Sequence, residues 1–308
     1  MSVASWFLIA LIAPFLFACA NHMDKFLLER CLPEQKIGPI IIGSSLFSGL
    51  ALPLITMVEP NVDTISLAGI AILTATGILS TAAVICYLHA LDLDEASFVT
   101  PFYQTIPIFA FLLGYFILDE TITPTQASGS VVIILGALAL SLEFGRRHIR
   151  FKRKVVGLML TASFLNAING VLFKVIALKS GFWASLFWSF VGQVAAGIIL
   201  LVFAAAYRRD FVAVLRQRRY STVALIGVTE ILFDVGESVT LYATLMAPVA
   251  LVLLVNSFQP LFVFVLGIAV SILVPELERE TLAPKKMLQK GAGIGLMVLG
   301  GYLISMDR

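Results

Sequence analysis

Nine long apolar stretches of this sequence contain no aspartate, glutamate, lysine or arginine, at about Val3–Ala20, Gly38–Val58, Ile65–Leu88, Ser97–Leu118, Thr125–Leu142, Val155–Phe173, Phe182–Tyr207, Pro248–Val274 and Gly291–Met306. Runs of this kind are long enough to cross a bilayer as helices, and they lack the strict alternation of barrel strands. A tenth stretch, Ser221–Met246, is equally long but carries Glu230, Asp234 and Glu237. Composition agrees: 59% of the residues are hydrophobic and only 13% charged, against about 25% charged in soluble domains. The expectation is an all-α membrane protein with ten transmembrane helices, embedded in a lipid bilayer. Met1–Trp6 lacks the basic start of a cleavable signal, so the first run reads as a retained helix.

The basic residues suggest an orientation. Links after the first, third, fifth, seventh and ninth spans hold 18 of the 21 Lys and Arg; the other links and both termini hold Lys174, Lys179 and Arg308. The positive-inside rule makes the odd links cytoplasmic and puts both termini outside, in a plasma or inner membrane. The cationic runs are short and lie between spans, which excludes a nucleic-acid-binding domain. Cys19, Cys31 and Cys86 form no metal-ligand spacing, and the sequence implies no cofactor and no metal.

The chain repeats itself. Leu88-His89-Ala90 answers to Leu241-Tyr242-Ala243, Pro107-Ile108-Phe109 to Pro260-Leu261-Phe262, and Gly114 to Gly267. Glu120-Thr121-Ile122 matches Glu280-Thr281-Leu282, Gly129 and Gly136 match Gly293 and Gly300, and Lys25 and Lys174 close the first helix of each half. This divides the chain into five-helix repeats at residues 1–143 and 155–306. An odd number of spans per repeat forces the second copy upside down, as in many secondary transporters.

The segment from Pro107 to Gly129, with Gln259-Pro260-Leu261-Phe262 through Gly267 and Glu280-Thr281-Leu282, resembles the EamA-type members of the drug/metabolite transporter superfamily. The resemblance spans nearly the whole chain and is diluted in the second half. It implies ten helices around a central cavity, with helices five and ten at the edges, and solute movement by alternating access. Two features depart from the family. Its members are commonly drawn with termini inside, against the charge count. The triple-acid eighth helix is not part of the general pattern, so the solute is not inherited.

Glu230, Asp234 and Glu237, spaced by four and three, share one helix face. Charge at bilayer depth costs at least about 2.5–3.5 kcal/mol per residue, so these acids are expected to face a polar cavity as a proton or cation site. A crowded carboxylate cluster is expected to hold at least one proton; the alternative is a structural polar knot. Asn166 and Asn169 share a face of helix six and serve equally as solute contacts or helix glue. Lys174 reads as a residue snorkelling to the interface rather than an ion pair with the acids. His89 is a lesser candidate for a proton relay. Tyr103, Gln104 and Gln259, beside the interior prolines Pro107 and Pro260, are further candidates for solute contact, and Gln193 is a weaker one.

These features fit a secondary transporter of small solutes, cationic metabolites or drugs among them, working by alternating access on a proton or ion gradient. Neither a Walker-type loop nor His-Glu-x-x-His nor Gly-x-Ser-x-Gly occurs, which disfavours ATP drive and an enzyme. The alternatives are an intramembrane enzyme or a non-transporting receptor or assembly subunit.

Overall fold

The structure is a computed structural model and describes residues 3–27, 31, 37–94, 99–141, 152–216, 220–273 and 284–306. Glu280-Thr281-Leu282 and part of the basic runs lie outside the described residues. Among the described residues the protein is α-helical and contains no strand. The helices are α1 (Val3–Phe26), α2 (Gly38–Phe47), α3 (Ala51–Val58), α4 (Leu67–Leu93), α5 (Ile106–Leu118), α6 (Pro124–Ser141), α7 (Arg153–Ser180), α8 (Phe182–Phe203), α9 (Ala205–Arg216), α10 (Tyr220–Thr244), α11 (Val249–Val255), α12 (Gln259–Leu273) and α13 (Pro284–Met306). Short 3₁₀ turns at Ser48–Leu50 and Asn256–Phe258 join α2 to α3 and α11 to α12, and a third, Thr100–Thr105, leads into α5.

Eight helical segments are long and apolar enough to cross a membrane: Ser5–Phe26, Gly38–Val58, Leu67–Leu93, Thr100–Leu118, Pro124–Ser141, Arg153–Ser180, Phe182–Phe203 and Val249–Ile272. With no lipid-exposed backbone left unpaired, such helices make this an integral, multi-pass membrane protein. Two segments read as spans in the sequence fall outside this set. Every bilayer-length window of α10 contains all three acids, and α13 opens with Lys285, Lys286 and Lys290.

Contacts between the links sort into two ends. At one end Lys152 pairs with Asp94 at 3.4 Å, His89 meets Tyr207 at 2.6 Å, and Gln289 donates to the Ala139 carbonyl at 2.6 Å. At the other, Lys174, Glu120, Ala247 and Val249 form one group, and Trp188 donates to the Val62 carbonyl. Helix α10 leaves the first end after α9 and reaches the second just before Ala247, so it runs the length of the bundle.

The helices pack in pairs. α1 lies along α10 and α4 along α7; α5 packs on α7 and α12 on α1; α4 and α2 both cross α8; α6 packs on α13. Small residues allow the closest crossings. A methyl group on Gly77 of α4 would overlap the Ser189 carbonyl of α8, and one on Gly192 of α8 would overlap the Thr74 carbonyl. On α6 and α13 the approach is reciprocal: a methyl on Gly129 would lie 2.8 Å from the Gly300 carbonyl oxygen, and one on Gly293 would lie 2.8 Å from that of Gly136. Such contacts are how helices associate where lipid removes the hydrophobic drive.

Pro107 and Pro260 do not interrupt α-helices, as the sequence suggested. Each is the second residue of its helix and follows a 3₁₀ turn. Proline is compatible with a helix's first turn, where the missing N–H would be unpaired in any case. The departure from α-helical hydrogen bonding therefore lies in the 3₁₀ turns that precede the prolines.

Candidate cation and proton site

Helix α10 turns its apolar side outward and its acids inward. Val228, Ile231, Val235 and Tyr242 are exposed. On the opposite side Asp234 is buried, at 7% exposure, while Glu230 and Glu237 are half-buried. The narrow face expected from the spacing therefore faces the bundle interior, towards α2, α4, α7 and α8.

Two of the acids meet at Ser48, in the 3₁₀ turn after α2. Its hydroxyl lies 3.0 Å from Glu230 Oε1, 3.1 Å from Asp234 Oδ1, 2.8 Å from Gln193 Oε1 and 3.3 Å from the Ser44 carbonyl. A serine hydroxyl has one proton to give, yet four acceptors surround this one. Two buried carboxylates that share this one donor repel each other unless one carries a proton. The Glu230–Asp234–Ser48 arrangement is thus balanced when the carboxyl pair carries a proton.

The third acid is built differently. Glu237 Oε1 accepts from Ser80 of α4 at 3.2 Å and from Asn169 of α7 at 3.2 Å, while Oε2 accepts from Gln193 of α8 at 2.8 Å. Three helices supply one neutral donor each. Among the described residues no lysine or arginine forms an ion pair with any of the three acids. Asp24, in the last turns of α1, lies close enough to Glu230 to act on it electrostatically, and Tyr87 of α4 stands in the same relation to Asp24. Among the described residues no cluster of His, Cys, Asp and Glu has the arrangement of a metal site.

The other candidates from the sequence divide. Asn169 and Gln193 join the acids. Tyr103 lies beside Tyr87, with ring centroids 5.2 Å apart, on the path from Asp24. Gln104 is buried nearby in the chain, and its Oε1 has no hydrogen-bond partner among the described residues. Asn166 instead donates to the Ala162 carbonyl of its own helix at 2.9 Å, and Gln259 is half-buried at the start of α12; neither hydrogen-bonds to the acids. His89 pairs with Tyr207, whose phenol is raised above its usual value by burial and so stays protonated.

Lys174 corrects the sequence reading outright. It does not snorkel and does not reach the acids: it is 8% exposed, 2.6 Å from Glu120 Oε1, and donates to the Ala247 carbonyl at 2.8 Å. Glu120 Oε2 accepts the Val249 backbone N–H at 2.8 Å, at the start of α11. Asp119, in the left-handed region at φ 54°, ends α5 and lets the Glu120 N–H return to the Gly114 carbonyl; Asp tolerates this conformation better than most residues. Ser48, Ser80, Ser44 and Asp24 escaped the sequence reading. The serines were small polar residues inside apolar runs, which also serve as ordinary helix glue, and Asp24 lay beyond the first apolar run beside Lys25.

With this geometry in view, the comparisons define the class. The model of the EamA-like transporter family, which lies within the drug/metabolite transporter superfamily, matches residues 4–142, so the first half of the chain is similar to that family. Members of that family are membrane transporters rather than enzymes. No curated protein matches the sequence. Of 28 solved chains that match, one crystal structure superposes with a TM-score of 0.64 over 99% of this chain and 98% of its own, at 14% identity. That likeness concerns the fold alone.

Proposed function

We propose that this protein is a ten-span secondary transporter that moves small cationic solutes by alternating access, exchanging them for protons at Glu230, Asp234 and Glu237. In this reading α10 and α13 complete the ten spans, and residues 1–143 and 155–306 are inverted repeats. The pairing of helices supports the repeats. Exchanging each span for its partner five places on turns the α1–α10 contact into α7–α4, α5–α7 into α12–α1, and α4–α8 into α10–α2, and all of these contacts occur. The Gly129–Gly300 and Gly136–Gly293 approaches are likewise exchanged, as a two-fold axis in the membrane plane requires.

The observation that carries the reading is the inward face of α10, where three acids are held by neutral partners with no protein cation among the described residues. A buried carboxylate cluster without a counter-ion needs a proton or a ligand cation. A cation arriving at this cluster displaces its proton, and a returning proton releases the cation. Asp24 of α1 and Tyr87 of α4 are the other titratable groups on this side. The partners from the 3₁₀ turn after α2, from α7 and from α8 are Ser48, Asn169 and Gln193, which do not titrate. Tyr103, against Tyr87, continues this side towards α5, and Gln104 and Gln259 are further candidates for solute contact.

The test is flux in proteoliposomes with an imposed pH gradient, using labelled 1,4-diaminobutane and a labelled monoamine. Asp234→Asn keeps size and hydrogen bonding but removes the titrating group. It should abolish gradient-driven accumulation in a protein that still inserts. Wild-type accumulation by this variant would make the cluster a packing feature.

A further inference from the structure

We infer that the corner formed by Glu237 and Asn169 binds a primary ammonium group of the transported solute and selects it over quaternary ammonium. This rests on the reading above and divides the acids between two tasks: Glu230, Asp234 and Ser48 hold the proton, and Glu237 with Asn169 receives the amine.

The inference comes from counting acceptors. An ionised carboxylate offers about four lone-pair sites. On Glu237 three are filled, two on Oε1 by Ser80 and Asn169 and one on Oε2 by Gln193, which leaves a vacant position on Oε2. Asn169 is 5% exposed, and its Nδ2 is committed to Glu237. Its Oδ1, on the same amide, is buried and accepts no hydrogen bond among the described residues. Turning the amide over would not help, because Oδ1 would then face the Glu237 carboxylate and lose the Nδ2 donor. The orphaned oxygen is therefore fixed by its neighbour and stands beside the acid.

What is missing at this corner is a set of donors. The vacancy on Oε2 and the two lone pairs of Asn169 Oδ1 make three acceptor positions, and a primary ammonium carries three N–H donors and the charge that Glu237 lacks. A quaternary ammonium satisfies the charge but has no N–H, so Oδ1 stays unpaired. A hard metal ion such as Ca²⁺ collects about six to eight oxygens, more than the two unfilled oxygens here. Gln193 also links the two sites, since its Oε1 meets Ser48 and its Nε2 meets Glu237. An amine drawn to Glu237 pulls on the same amide that faces the proton-holding pair.

The experiment measures binding of n-butylammonium, tetramethylammonium and Na⁺ to the purified full-length protein in detergent, by calorimetry and thermal shift. Butylammonium should bind, with tetramethylammonium roughly 10- to 100-fold weaker, the range set by one unpaired buried acceptor. Asn169→Leu should erase the preference, and Asn169→Asp, whose protonated carboxyl keeps both a donor to Glu237 and an oxygen at this place, should retain it. Asp234→Asn should keep the preference for the primary amine while losing proton release on binding. Equal binding of both ammonium ions to the wild type would overturn the inference, as would a preference that survives Asn169→Leu or protection by Na⁺ alone. If Asn169→Leu does not fold, the wild-type comparison and Asn169→Asp still decide. Loss of the preference with gradient-driven flux still dependent on Asp234 would remove this inference and leave the proposed function standing.

Discussion

Two buried ionic groups stand in this bundle, and they are built on opposite plans. At one end Lys174 and Glu120 neutralise each other at 2.6 Å, and the Ala247 carbonyl and Val249 N–H take up the remaining valences. In the middle of α10, Glu230, Asp234 and Glu237 have hydroxyls and amides for partners and no cation. Both groups cost desolvation. The first is complete within the protein, so it can serve only to hold helices together. The second is complete only with something added, a proton or a cationic ligand. Burial of charge is thus common to both, and the partner decides which group is a brace and which is a site.

The difference breaks most sharply at the brace. Lys174→Met leaves Glu120 buried without its cation and should destabilise the protein by about 3–5 kcal/mol. The double variant Lys174→Met with Glu120→Leu should lose less than the sum of the single changes, since no unpaired charge remains. Denaturation in detergent checks both. A loss below about 1 kcal/mol in Lys174→Met would mean that the pair is screened like a surface one.

A smaller effect is expected where α4 crosses α8. These helices carry Ser80 and Gln193, two of the three donors on Glu237. A methyl on Gly77 meets backbone rather than a movable side chain, so Gly77→Ala should cost about 1–3 kcal/mol by overpacking. It should also weaken solute binding by separating the donors. Gly157, with nothing within 4 Å of an added methyl, is the control: Gly157→Ala should stay within about 0.5 kcal/mol of the wild type.

Orientation should cost nothing to measure and settles which end the brace occupies. Cysteines introduced at Ser2 and Asp307 should react with an impermeant reagent in intact cells, which would place the termini and the Lys174–Glu120 end outside. Reaction only after permeabilisation would reverse the orientation that the basic links suggest.

Much of the frame was legible in the sequence because it depends on local pattern. Uncharged runs gave the helices, and the i, i+4, i+7 spacing of Glu230, Asp234 and Glu237 put them on one inward face. The partners were less legible. Ser48 reaches two acids because a 3₁₀ turn breaks α2 from α3, and nothing in Ser48-Gly49-Leu50 distinguishes that break from continuous helix. Lys174 was misread because its partner lies 54 positions earlier in the chain, in a turn that depends on the left-handed Asp119. Asn166 and Asn169 looked equivalent by spacing, yet one bonds its own helix and the other the acids; that choice is made by packing against α4 and α10. Pro107 and Pro260 marked places where the helical hydrogen bonding changes, but the 3₁₀ turns lie just before them.

The central claim is that the α10 cluster holds a proton within the folded protein and gives it up to a cation. Difference infrared spectroscopy reads this directly through the carbonyl stretch of a protonated carboxyl group. The ligand-free protein at neutral pH should show such a band. It should vanish when n-butylammonium saturates the site, and it should be absent or shifted in Asp234→Asn and Glu230→Gln but unchanged in Glu120→Gln. A cluster with no protonated carboxyl band in the ligand-free state, or a band that amine binding leaves untouched, would contradict the account.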